Sequence, residues 1–256
     1  MNFIDDIIYE LFKNLSMSDA YKLSTICKAF NNVFECPKLW DHYIELIDID
    51  TLRIIQAESC KLTCRKFSDL TYLIKLFKFD ESVPILYQKK RMTLSHNQIT
   101  SIPSEIGQLV NLQQLDLSHN QITSIPSLIG QLANLQLLDL SLNQIQSIPS
   151  EIGKLVNLRY LYLPDNLITS MSPEIGQLVN LQELCISRNQ ITSIPSEISQ
   201  LVSLQYLDLS RNQIILIPSQ IDQLVELQYL NLSNNQIVSI SSEINQLPNL
   251  RCINLI

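Results

Sequence analysis

The sequence predicts an α/β chain in which a small helical domain precedes a long array of repeats, each with one short strand. Three observations carry this. An asparagine returns seven times at a spacing of 23 residues, at Asn97, Asn120, Asn143, Asn166, Asn189, Asn212 and Asn235. Each copy holds an alternating x-L-x-L stretch, the period of a strand with one buried face. Upstream of residue 89 that period is absent, and apolar residues recur instead at the three- and four-residue spacing of amphipathic helices.

In chain order, residues 3–15, FIDDIIYELFKNL, place Phe3, Ile7, Leu11 and Leu15 four apart, with Ile4, Ile8 and Phe12 beside them on one broad apolar face. Ser16 or Ser18 is placed to cap the next helix, whose apolar side holds Leu23, Ile26, Cys27, Phe30, Val33 and Phe34. Pro37 ends that stretch before Leu39 and Trp40. Residues 1–45 are therefore expected to form a helical domain. In the link that follows, residues 46–88, Leu70, Leu73, Ile74 and Phe77 share a helical face with Ser68 as its cap. This link is expected to cover the open core of the array.

The array occupies residues 89–256 and reads L-x-x-L-x-L-S-x-N-Q-I-x-S-I-P-S-E-I-G-Q-L-V-N, without insertion or deletion. The proline is expected to stop the strand, the serine after it to cap a short helical turn, and the glycine to break that turn. All four glycines, at 107, 130, 153 and 176, share the period. A turn of such an array leaves backbone N–H and C=O groups buried, and each needs a partner. Asparagine carries two donors and an acceptor on a short stem, so the recurring asparagines are assigned to that structural duty and to no ligand.

This pattern resembles the leucine-rich repeat of 23 residues. The resemblance implies a right-handed solenoid with a parallel β-sheet on its concave face. Residues 3–40 resemble the F-box. Phe3-Ile4 stands at its L-P position, Ile7-Ile8, Leu11-Phe12 and Leu15 at its apolar positions, Asp19-Ala20 and Ile26-Cys27-Lys28-Ala29-Phe30 at the next two elements, and Pro37-Lys38-Leu39-Trp40 at the last. An F-box ahead of leucine-rich repeats implies a substrate-recognition subunit. Its helices would dock on the Skp-type adaptor of a cullin-based, SCF-type ubiquitin ligase, and its repeats would present an unknown substrate protein. The adaptor contacts implied are Ile4, Ile7, Leu11, Ala20, Ile26, Cys27, Phe30 and Trp40. The alternative is a repeat scaffold for a signalling protein such as a Ras-like GTPase, with no ubiquitin role.

Charge and composition exclude other classes. Net charge is -7, with 10 Lys/Arg against 13 Asp/Glu before residue 89 and 8 against 12 after it. Neither part has the basic stripe that nucleic acid demands. No apolar run reaches membrane-spanning length, and Asp5, Asp6 and Glu10 are the wrong charge for a signal peptide. The six cysteines show no C-x-x-C, so they are expected to be reduced thiols in a cytoplasmic or nuclear protein, with no metal and no cofactor. Cys60 and Cys64 lack two further ligands for a metal. His96 and His119, with Asp116 nearby, could form an acid–base or metal site, but exposed polar residues on a binding face are the ordinary explanation. No glycine loop or nucleophile motif supports catalysis.

The binding surface is read from the repeats' own variation. Outward strand positions form a column Arg91, Gln114, Leu137, Tyr160, Glu183, Tyr206, Tyr229, Cys252 and a second one Thr93, Asp116, Asp139, Tyr162, Cys185, Asp208, Asn231, Asn254. A third, beyond the strand, is His96, His119, Leu142, Asp165, Arg188, Arg211, Asn234. Tyrosine and arginine carry much interface energy and gather over the fourth to seventh copies. The candidate substrate contacts are Tyr160, Tyr162, Arg188, Tyr206, Asp208, Arg211 and Tyr229, and the arginines point to acidic and apolar groups on the partner. The chain stops inside a strand, which predicts self-association through that last coil or a partner covering it.

Overall fold

Leucine and isoleucine at fixed places in a 23-residue period can all point inward only if each copy makes one full turn. The computed structural model, described over residues 89–239, 244 and 247–255, is built that way. The helices expected within residues 1–45 and 46–88 lie outside the described residues. Eight strands, β1 (Arg91–Thr93), β2 (Gln114–Asp116), β3 (Leu137–Asp139), β4 (Tyr160–Tyr162), β5 (Glu183–Cys185), β6 (Tyr206–Asp208), β7 (Tyr229–Asn231) and β8 (Cys252–Asn254), form one parallel sheet in sequence order. Every pairing joins residues 23 apart, such as Tyr160 with Glu183 and Glu183 with Tyr206. Each strand is only three residues long.

A local hydrogen bond follows four of them. Asp116, Asp139, Asp208 and Asn231 each use one side-chain oxygen to accept the backbone N–H of the serine two residues later, at 2.9–3.2 Å. This bond shapes the chain just past the strand, while β4 and β5 end at the same place with Tyr162 and Cys185 in that position. The strand thus ends ten residues ahead of the proline, which was expected to stop it. The proline instead stands at the N-cap of a five-residue 3₁₀ helix, as Pro149 does before Ser150–Lys154. Its fixed φ is compatible with that position, which needs extended backbone. The serine is not the cap. It is the first helical residue, and its hydroxyl meets the next glutamate instead, as in Ser150 to Glu151 at 3.2 Å.

The glycine does not break this helix either. Gly107, Gly130, Gly153 and Gly176 lie inside the helices, and none has positive φ. Their role is closeness. A Cβ on Gly153 would stand 2.6 Å from the Glu174 carbonyl oxygen of the next coil, so coils pack there backbone to backbone. Ser199 and Asp222 occupy the same place in later copies, so the array accommodates a side chain where neighbours yield.

The interior is apolar and repeats as the sequence does. In the third full coil Leu135, Leu138, Leu140, Ile145, Ile148, Ile152 and Leu155 are all buried. Each such side chain contributes about 1.5–3 kcal/mol when fully buried. A lone coil could not gain this, because its open sides would leave the same residues wet; stacking supplies the cover.

Candidate protein-binding face

Between the strand and the Asn ladder the backbone takes a turn that the sequence does not announce. His96, His119, Leu142, Asp165, Arg188, Arg211 and Asn234 all have φ between 53° and 59°, the left-handed region. None is glycine, and a non-glycine residue there carries roughly 1–2 kcal/mol of steric cost. The asparagine that follows holds the turn in place. Asn143 donates through Nδ2 to the carbonyls of Leu117 (3.0 Å), Leu140 (3.0 Å) and Ser141 (3.1 Å), and its Oδ1 accepts the Ile122 N–H at 2.9 Å. The same set recurs at Asn166, Asn189 and Asn212. Each asparagine therefore binds its own coil and the preceding one. The ladder uses up the polar atoms that a ligand would need.

The side chains left to face outward are those of the three columns. Tyr206 and Tyr229, paired across β6 and β7, stack with ring centroids 4.4 Å apart and planes inclined by 2°. Asn254 donates to the Tyr229 hydroxyl at 3.2 Å. Tyr162 donates to Glu183 Oε2 at 2.6 Å, and Tyr160 to Gln182 Oε1 at 3.3 Å. Burial, then the hydrogen bond to Glu183 and that carboxylate's charge, push the Tyr162 phenol well above its usual range. Burial and then the charge of Asp208 do the same to Tyr206. The Cys185 thiol is also raised, chiefly by burial, with Asp208 and Asp139 adding to it against the lowering effect of Ser187.

In the third column Arg188 Nη1 lies 3.5 Å from Asp165 Oδ1, a pair exposed enough to be worth at most about 1 kcal/mol. Arg211 is exposed and has no acidic partner among the described residues. His96 and His119 stack at 4.1 Å. Asp208 has one oxygen, Oδ1, committed to the Ser210 N–H.

Of the seven residues singled out in the sequence, Tyr206, Tyr229, Asp208 and Arg211 fall together over β6 and β7. Tyr160 and Tyr162 share β4, with Arg188 past the end of β5. Glu183 and Asp165 were not singled out, yet they engage Tyr162 and Arg188. The 23-residue offset, which makes them neighbours across adjacent coils, was the available signal. The adaptor-contact candidates Ile4, Ile7, Leu11, Ala20, Ile26, Cys27, Phe30 and Trp40 lie outside the described residues. Among the described residues no group of three His, Cys, Asp or Glu could hold a metal ion, and no helix is long and apolar enough to cross a membrane.

Comparison with known proteins gives the same answer as the geometry. Residues 138–256 match the family described as a leucine-rich repeat region, and residues 90–130 the one described as leucine rich repeats in two copies. The repeats of this array are leucine-rich repeats. No curated protein matches the chain. Among solved structures, it is similar to a leucine-rich-repeat protein of Leptospira interrogans, at 42% identity and a TM-score of 0.62, over 64% of this chain and 42% of that one. It is also similar to the ectodomain of the plant membrane receptor kinase GASSHO1/SCHENGEN3 from Arabidopsis thaliana in complex with CASPARIAN STRIP INTEGRITY FACTOR 2, at 35% identity and 0.56, over 59% and 19%. The plant peptide hormone receptor RGFR1 in complex with RGF2 matches at 35% and 0.60, over 63% and 27%. The chain spans less than half of the length of each of these proteins.

Proposed function

We propose that this chain is a non-catalytic adaptor whose leucine-rich repeats hold a substrate protein on the open face of the sheet while residues 1–45, as an F-box, dock on the Skp-type subunit of a cullin-based ubiquitin ligase. It works in the cytoplasm or nucleus. The observation that carries the binding half is the contrast within the array. Interior leucines and the Asn ladder are uniform, whereas tyrosines, Glu183 and the unpaired Arg211 break the repetition on one face over β4 to β7. Solved relatives of the repeats hold protein or peptide ligands, which supports the same reading. The open face suits a protein segment better than a small molecule, which would need a closed pocket.

The ubiquitin half rests on the residue pattern of 3–40. Co-expression of the full chain with a eukaryotic Skp adaptor tests it: a stable complex is expected, and Ile4→Asp, which sets a charge in a desolvated patch, should weaken it by several kcal/mol. Normal binding by a folded Ile4→Asp chain would remove the docking assignment. Replacing Tyr206 and Arg211 together by alanine should cost about 2 kcal/mol or more of substrate affinity and leave the adaptor complex intact. A second reading, a scaffold for a signalling protein such as a Ras-like GTPase, is favoured by the fact that both family matches fall within residues 90–256. Failure of Skp binding with retained protein binding by the repeats would select it.

A further inference from the structure

The arginines alone point to an acidic partner, but the sheet face has the opposite sign. From β2 to β8 its outward strand positions hold Asp116, Asp139, Glu183 and Asp208 and not one Lys or Arg. Among the described residues the cations near this face stand outside the strands: Arg159 and Arg251 just before β4 and β8, Arg188, already against Asp165, and Arg211 past the end of β6.

Within this face one place is shaped. Glu183 stands between Tyr160 and Tyr206 in register. Two strand spacings separate those tyrosines, about 9.5 Å, and the residue between them is thinner than a ring. Its carboxylate is drawn toward β4 by the Tyr162 hydroxyl at 2.6 Å. Tyr206 has its other face covered by Tyr229. On the β5 side no ring stacks on Tyr206 among the described residues, and the Glu183 carboxylate held there stands one strand from Asp208.

We propose that this slot receives a basic side chain, lysine or arginine, from the bound protein segment. This rests on the reading of the sheet face as the binding surface and names the chemistry of its partner. A cation placed over the Tyr206 ring gains from the ring quadrupole, and its charged end meets Glu183 and the second oxygen of Asp208. The methylene stem lies against the rings, so the site uses both parts of a long cationic side chain. Burial raises the Tyr162 and Tyr206 phenols and the Cys185 thiol most, and the charges of Glu183, Asp208 and Asp139 add to it in the direction of a negative potential. The same potential repels an acidic segment from the strands and leaves a partner carboxylate to the arginines that stand outside them.

Fluorescein-labelled tetra-arginine and tetra-glutamate, titrated against the full chain at about 0.15 M salt and followed by anisotropy, test this. Tetra-arginine should bind, and Glu183→Gln with Asp208→Asn should weaken it at least tenfold. Both substitutions fit the fold: glutamine still accepts from Tyr162, and Asn231 already fills the Asp208 role toward its own serine. Tyr206→Leu should weaken it several-fold. A charge-matched control, Glu151→Gln with Glu197→Gln on the helical side, should change affinity less than twofold. If the control loses as much as the sheet-face pair, net charge explains the binding and the proposal falls. If tetra-glutamate binds instead, and Tyr206→Leu weakens it, the sheet face remains the binding surface while the basic slot is lost. If neither peptide responds to a sheet-face substitution, both readings fall.

Discussion

Asn143→Ala isolates the energetics that hold the array together. Asn143 is 8% exposed, and its removal touches four backbone groups. The Leu117 carbonyl would keep Asn120 Nδ2 at 2.9 Å, and the Leu140 carbonyl would keep Asn166 Nδ2 at 2.9 Å. The Ser141 carbonyl would keep the His119 N–H at 2.9 Å. Only the Ile122 N–H, in a fully buried residue, would lose its acceptor without replacement. One orphaned buried donor costs about 1–3 kcal/mol, and carbonyls reduced from two donors to one add little. With a urea m-value of about 3 kcal/mol/M, the midpoint should fall by about 0.3–1 M. Urea unfolding of the full chain by circular dichroism measures this, with exposed Gln144→Ala as the neutral control. Asn143→Asp sharpens the test. It retains an acceptor for Ile122 but turns an anion toward three carbonyls, so it should be worse than alanine at pH 7. Burial and those carbonyls raise its folded pKa above the unfolded value of about 3.9, so its stability should be recovered at low pH and lost as pH rises past 4. An unchanged midpoint for alanine, or an aspartate variant as stable as the parent at pH 7, would refute the ladder's role.

Three further outcomes follow from the geometry. Tyr162 and Tyr206 should remain protonated at a pH where ordinary tyrosines ionise; because their folded pKa values are raised, the stability they contribute is full below about pH 10 and is lost above it, and tyrosinate absorbance with Tyr162→Phe and Tyr206→Phe as references reads the shift. Gly153→Ala should destabilise by about 1–3 kcal/mol, because its Cβ meets backbone of the next coil at 2.6 Å, whereas Ser199→Ala in the same place should leave the melting temperature within error. Leu142→Asn should stabilise by about 1 kcal/mol, since leucine there holds φ 53° and asparagine tolerates that region, a gain visible as a higher urea midpoint.

Much of this architecture is legible in the linear order of residues because a solenoid is nearly one-dimensional. Residues 23 apart become neighbours, so the pairing of Tyr206 with Tyr229, the inward leucines and the stacking of His96 on His119 all follow from counting. The asparagine's duty was readable for the same reason: a buried turn in every coil must satisfy the same backbone groups. Counting does not reach what depends on direction and closeness in space. Pro149 caps a helix instead of stopping a strand because β3 has already ended at Asp139, where the coil turns. Gly153 is needed for its missing Cβ, which matters only once the next coil's carbonyl is 2.6 Å away. The left-handed turn at Arg211 has no glycine to signal it, since the Asn ladder around it, and not the residue itself, sets the conformation. The Tyr162–Glu183 bond, which draws that carboxylate toward β4, depends on which way a flexible side chain leans, and that is decided by the side chains standing around it in the assembled sheet.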